Sequence, residues 1–182
     1  MQNSSSWPLR TERLALRPYR SDDLEWVASV YSRPDVVRFL LGDPWTREEA
    51  QENVARRMAR DDLEGPSGSL NLVIDRGDES IGNVSLWFTD KSLGLAEIGW
   101  VLDPDYGGQG YAREAVRAVV RLGFEHYGLH RIVAEMDARN EASARLASSV
   151  DMRREAHHLQ DYWSKGEWTD SLIYALLSTD PR

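Results

Sequence analysis

With 182 residues, the chain is long enough for one domain with a buried core. Its 22 Lys and Arg against 30 Asp and Glu give a net charge of −8, which disfavours nonspecific nucleic-acid binding and suits a cationic partner such as an amine. There is no cysteine, which excludes disulfides, zinc–thiolate sites, iron–sulfur clusters and a cysteine nucleophile.

No apolar run approaches the ~20 residues of a membrane span. The first residues lack the basic region and apolar core of a secretion signal. The expected location is therefore the cytoplasm, with no membrane partner. Residues 1–8 read as a loose polar tail ahead of a single domain over residues 9–178.

Residues 11–19 alternate in part, at Leu14 and Leu16, and predict a strand. Ser21 is placed to cap a helix with Asp22 and Asp23 in its first turn and Leu24, Val27, Ala28 and Tyr31 on its apolar face. Pro34 is expected to end it. Thr46 and Glu49 form a capping-box pattern, followed by Ala50, Val54 and Met58 at i, i+4 and i+8. Gly65-Pro-Ser-Gly68 stops that helix. Leu70, Leu72 and Ile74 alternate as a strand, residues 75–78 turn at Gly77, and residues 81–88 return.

Residues 95–102 form the next strand, with Ala96, Ile98, Trp100 and Leu102 on one face and Glu97, Gly99 and Val101 on the other. Asp105-Tyr-Gly-Gly-Gln-Gly-Tyr-Ala112 follows, then an amphipathic helix ending near Gly128. A short strand at residues 131–136, a helix capped by Asn140, and two strands around Lys165-Gly166 complete the chain. Strands dominate both ends and hairpins outnumber βαβ units, so the class is α+β: a mixed, mostly antiparallel sheet of about seven strands with about four helices.

A strand, a glycine-rich turn and a helix present free N–H groups at the positive end of a helix, which binds phosphates without a metal. A Walker loop needs Gly-Lys-Ser/Thr, where this chain has Gly110-Tyr-Ala112. A dinucleotide fingerprint needs a third glycine, where position 113 is Arg. The third reading is an acyl-CoA loop, in which the pyrophosphate would sit on the N–H groups of Gly108, Gln109, Gly110, Tyr111 and Ala112.

On these residues the chain resembles the GNAT superfamily of N-acetyltransferases. That family's Gln/Arg-x-x-Gly-x-Gly/Ala pattern aligns with Gly107-Gly-Gln-Gly-Tyr-Ala112, with Gly107 departing from it at the first place. Thr11-Glu-Arg-Leu-Ala-Leu-Arg-Pro18, Ala96-Glu-Ile-Gly-Trp-Val-Leu102, Asn140-Glu-Ala-Ser143 and Trp168-Thr-Asp170 resemble the ribosomal-protein N-terminal (Rim-type) branch in the same order. A second departure is Asp151, where the family usually has Gly.

The resemblance implies an acetyl-CoA-dependent N-acetyltransferase of GNAT fold that needs no metal. The acceptor would be a small-molecule amine or a protein N-terminus, attacked directly in a ternary complex by a monomer or homodimer. It implies that pantetheine lies beside Trp100, Val101 and Leu102 and touches Asn140, and that the N–H of Val101 polarises the thioester. It also implies that Ser143 protonates the leaving thiolate; Tyr111 and Tyr127 are less well placed. An alkylamine arrives protonated and needs a base. Glu97 is the first candidate, with His157 and His158 in reserve. Trp45, Trp87, Trp163 and Trp168 are candidates for contact with a cationic acceptor. The rival function is a GNAT-fold protein that senses acyl-CoA without turnover.

Overall fold

The computed structural model describes residues 7–181. Most of the tail expected at residues 1–8 lies outside them; Trp7, near its end, packs against the main core. Among the described residues nine strands make one sheet. They are Leu9–Arg10 (β1), Ala15–Pro18 (β2), Asp61–Asp62 (β3), Ser69–Arg76 (β4), Glu79–Asp90 (β5), Leu95–Leu102 (β6), Arg131–Asp137 (β7), Arg153–Ser164 (β8) and Glu167–Leu177 (β9). The order is β1-β2-β4-β5-β6-β7-β9-β8, with β3 on the edge of β4, and only β6–β7 is parallel among the described pairs. The α helices are Leu24–Tyr31 (α1), Pro34–Val37 (α2), Arg47–Met58 (α3), Tyr111–Glu125 (α4) and Glu141–Ser149 (α5).

The expected mixed, mostly antiparallel sheet is present, with more elements than the sequence pattern announces. The strand expected at residues 11–19 is a tight hairpin of β1 and β2, because Thr11 N–H donates to the Leu14 carbonyl (2.9 Å) and the Thr11 hydroxyl oxygen accepts Leu14 N–H (3.1 Å). Ser21 does not cap α1. Residues Ser21–Asp23 form a 3-10 turn, and the Asp23 carboxylate accepts the Arg20 N–H at 2.6 Å instead. Pro34 opens a helix and does not end one: α1 stops at Tyr31, and Pro34 takes the first position of α2, where its missing N–H costs nothing. The capping box of α3 is present, with Thr46 Oγ1 accepting Glu49 N–H (3.2 Å) and Glu49 Oε2 accepting Thr46 N–H (2.7 Å).

Strand alternation divides the sheet between two helical layers. Leu72, Leu86, Ile98 and Ile132 face α4 and α5, where Val116, Val119 and Ala147 complete the main core. The opposite face packs Val73 and Val101 against α1–α3 through Val27, Tyr31 and Val54. That second face is polar at Asn71, Asn83, Ser85 and Glu97, residues too hydrophilic to be mere core filling.

Candidate active site

The site begins where the sheet parts. β6 and β7 are bridged only at Leu95↔Arg131, Ala96↔Ile132 and Glu97↔Val133, although β6 continues to Leu102 and β7 to Asp137. Beyond Glu97 the two strands diverge and leave backbone groups without a strand partner. Register says which. Asp103 N–H donates to Ile81 O at 2.8 Å, continuing the β5–β6 ladder in which Val101 faces Asn83. In an antiparallel ladder backbone groups point alternately to the two sides. Glu97, Gly99 and Val101 therefore turn theirs to β5, and Trp100 and Leu102 turn theirs into the gap. This corrects the expectation for Val101: its amide belongs to β5, and the donors at the opening are those of Trp100 and Leu102.

The glycine loop leads from the end of β6 into α4. Gly107 N–H is used within the Pro104–Tyr106 turn, donating to Pro104 O at 2.9 Å, so Gly107 offers no amide of its own. Gly108 (φ +73°) and Gly110 (φ +80°) hold left-handed conformations that favour glycine. The amides of Gly108, Gln109, Gly110, Tyr111 and Ala112 have no acceptor among the described residues, as expected of a helix start without a side-chain cap. The Tyr111 ring itself is buried in the main core.

Arg13 flanks this loop, a neighbour the pattern search missed. It donates to Gln109 O (3.0 Å) and to Glu114 (2.7 Å), and its guanidinium lies 4.6 Å from the centre of the Tyr111 ring. Thr11 Oγ1 donates to the same carboxylate at 2.6 Å. The Thr-x-Arg segment of the β1–β2 hairpin thus ties the first turn of α4 to the sheet edge.

Across the gap, the Asn140 side chain caps α5 by accepting Ser143 N–H at 3.1 Å. Ser143 Oγ in turn accepts the Trp100 indole N–H at 3.3 Å. The expected cap role of Asn140 is present, and Ser143 sits beside the diverging strand. Tyr127 is engaged elsewhere, donating to Asp62 at 3.1 Å.

Glu97 lies on the face away from Trp100, as the alternation predicted. It lines a cavity of about 360 Å³ with Glu135, Asp137 and Tyr162. Burial, with a smaller push from the Glu135 charge, raises its pKa to about 7. Asp137 is held low instead by Arg139, which forks onto it at 2.7 and 2.9 Å. Glu97 is therefore a carboxyl poised to exchange protons near neutrality beside a carboxylate that stays charged.

Trp87, opposite Glu97 on β5, lines this cavity and also a second one of about 710 Å³ beneath α3. Trp45 lines the second, stacked on Tyr31 at 4.1 Å. Trp163 and Trp168 line neither. They pack edge to face at 5.4 Å and are each 56% exposed. Alternation on the β8–β9 hairpin turns Tyr162, Ser164 and Thr169 toward Glu97, so their neighbours Trp163 and Trp168 point away. His157 pairs with Asp170 (2.8 Å) and His158 with Asp161 (3.5 Å), both exposed and outside the Glu97 cavity.

Arg57 is the second residue that sequence reading missed. The expected apolar face of α3 ends in Met58, but Met58 is 41% exposed and Arg57 turns inward. The signal was present: Ala50, Val54 and Arg57 follow i, i+4, i+7, a closer match to 3.6 residues per turn than i+8. Among the described residues no cluster of three or more His, Cys, Asp or Glu could hold a metal, and no helix is long and apolar enough to cross a membrane.

The acetyltransferase (GNAT) domain matches residues 13–153 of the chain. An uncharacterized N-acetyltransferase, p20, of Bacillus licheniformis is 30% identical over 173 residues, covering 94% of this chain and 97% of the relative. The crystal structure of a GNAT-family acetyltransferase from Bacillus anthracis superposes with a TM-score of 0.84 at 29% identity, covering 94% of this chain and 98% of that one. At lower identity two more share the fold. The spermidine N-acetyltransferase of Vibrio cholerae in complex with CoA and spermine has a TM-score of 0.79 at 18% identity, covering 93% and 98%. The ribosomal L7/L12 α-N-protein acetyltransferase RimL with coenzyme A has 0.81 at 20%, covering 92% and 95%.

Proposed function

The chain belongs to the acetyltransferase (GNAT) family, and from that premise we propose that it moves an acetyl group from acetyl-CoA to a primary amine by direct attack, with both substrates bound together. The observation that carries this reading is the parting of the parallel pair β6–β7 immediately after Glu97, between the glycine loop and the Asn140–Ser143 helix start. Acetyl-CoA supplies the activated acetyl group. Everything else is asked of the chain's own residues.

The unpaired amides of Gly108 to Ala112, at the N-terminus of α4, hold the pyrophosphate, and Arg13, paired with Glu114, braces the loop through the Gln109 carbonyl. The edge of β6 at Trp100 and Leu102 takes the amide-rich arm as an added strand. One of those two backbone N–H groups polarises the acetyl carbonyl; a well-placed donor of this kind contributes roughly 3 kcal/mol. Glu97, ionised, takes the proton of the incoming ammonium. Ser143, held beside the gap by Trp100, gives a proton to the leaving thiolate. The absence of cysteine supports direct attack over an acyl-cysteine route.

The acceptor is proposed as a small-molecule amine or a protein N-terminus. The spermidine enzyme and RimL, each sharing this fold, are named for one of each. The Rim-type reading rests on the order of the resembling segments, from Thr11 to Asp170.

The test is thiol release from acetyl-CoA in the presence of a panel of primary amines, run beside thermal melting with CoA. Amine-dependent release is expected, and CoA at 100 times its Kd should stabilise the fold by about 2.7 kcal/mol. CoA stabilisation without release on any amine would favour the sensing alternative. No stabilisation by CoA would remove the assignment of the glycine loop.

A further inference from the structure

The acceptor side of the site carries charge of both signs, sorted to two ends. The cavity around Glu97 also holds Glu135 and Asp137 and is lined by no lysine or arginine. The cavity beneath α3 is lined by Arg56, Arg57 and Arg60 and by no carboxylate. Leu40, Leu41 and Trp87 line both, so the two are neighbours on one face of the sheet. Between Glu97 and Val101 on that face lies Gly99, where an added Cβ would sit 3.4 Å from the Trp87 ring. The Trp87 indole therefore lies over Gly99 where the two ends meet, and the missing side chain leaves it room there.

Arg57 is held as a binding group would be. Its guanidinium lies 4.9 Å from the Tyr31 ring centre and 5.2 Å from that of Trp45. Its Nη1 donates to Tyr19 OH (2.8 Å) and Tyr31 OH (3.1 Å). Hydroxyls orient the charge without cancelling it, and no carboxylate pairs with Arg56, Arg57 or Arg60 among the described residues. The Nε and Nη2 donors of Arg57 have no partner among the described residues, and Arg57 lines the cavity. A planar fork of free donors fits a carboxylate or phosphate in bidentate fashion. The floor is polar and already ordered: Tyr31 OH donates to Asn83 at 2.7 Å, and Ser85 to Asn71 at 2.6 Å.

The geometry points to an acceptor charged at both ends: an elongated primary amine whose amine lies at Glu97 and whose far end is a carboxylate or phosphate seated on Arg57. Arg56 and Arg60 flank that seat. Glu97 and Val101 are four residues apart on one strand, about 13 Å, and Val101 faces Asn83, which Tyr31 links to Arg57. The acceptor spans roughly that length. A polyamine would instead bring a second cation against three arginines. This inference rests on the proposed acetyl transfer and adds the chemistry of the acceptor's far end.

The experiment measures kcat/KM of the full chain with amines of matched length ending in a carboxylate, a phosphate, a methyl group or a second amine. The anionic ends should exceed the methyl end by on the order of tenfold or more, chiefly through KM, with the diamine last. Arg57→Gln should bring the ratio of anionic to neutral amine toward one, and Arg57→Lys should keep part of it. Where Arg57→Gln does not fold, the double variant Arg56→Gln, Arg60→Gln reads the same ratio and should lower it. The order of carboxylate and phosphate identifies the anion. Equal or better turnover of the neutral amine or diamine, or a ratio unmoved in these variants, overturns the inference and leaves the acetyl transfer standing. No turnover with any amine ends the proposed transfer, and this inference with it.

Discussion

Glu97 shows how its surroundings set the proton affinity of one carboxyl. On β6 it is a strand glutamate like any other; the closing of the sheet and the β8–β9 hairpin around it lifts its pKa to about 7. Below that pH it is protonated and cannot accept, so kcat/KM should rise as pH passes through about 7. Glu97→Gln should lower turnover about a hundredfold at neutral pH and erase that rise, leaving only the limb set by deprotonation of the amine itself at higher pH. An unchanged profile would remove Glu97 as base. Stability gives an independent reading. A pKa raised from 4.5 in the folded state means that the fold binds this proton more tightly than the unfolded chain does, so the wild type loses stability as pH climbs from about 4.5 to about 7. Glu97→Gln should therefore melt higher than wild type at pH 8 and no higher at pH 4.

At the scale of elements, the end of α5 carries a testable strain. Asp151 holds φ +69°, a left-handed conformation that disfavours a residue with a Cβ, and its carboxylate pairs with Arg117 at 2.6 Å on the surface. Both partners are about half exposed, at 51% and 56%, so the pair contributes at most about 1 kcal/mol. Asp151→Gly should thus be stabilising by about 0.5–1 kcal/mol, read as a melting temperature about 1–4 °C higher. A lower melting temperature would mean that the Arg117 pair outweighs the backbone. The same scale explains the error over Val101. Which residues of β6 were strand was legible from alternation, but which side each amide faced depends on the ladder with β5, and no local pattern encodes that register.

For the whole molecule, the joint between the helical layer and the sheet rests on Arg17. From β2 it reaches Asp23, just before α1, at 2.7 Å and Asp75 on β4 at 2.6 Å. Its side chain is 12% exposed and that of Asp23 only 3%. Arg17→Leu would strand the Asp23 carboxylate without its cation in a buried place, at a cost of about 3 kcal/mol. Chemical denaturation should show the midpoint falling accordingly; an unmoved midpoint would show that the layers are held by apolar packing alone. The hairpin tip makes a second joint, where Lys165 Nζ donates to the carbonyls of Val37 (2.5 Å) and Arg38 (3.1 Å) and so brings Tyr162 and Ser164 over the Glu97 cavity.

Local chemistry was enough to determine the α3 capping box, the Gly77 turn, the faces of β6 and the glycine loop with its unpaired amides. Each depends on a few adjacent residues whose φ/ψ needs or period are written in their own side chains. The placement of Arg57, the inward turn of Tyr162 in place of Trp163, and the sorting of acidic and basic ends came only with the tertiary structure. These depend on which long-range neighbours close each cavity, and on small phase differences along a helix or strand that packing alone resolves.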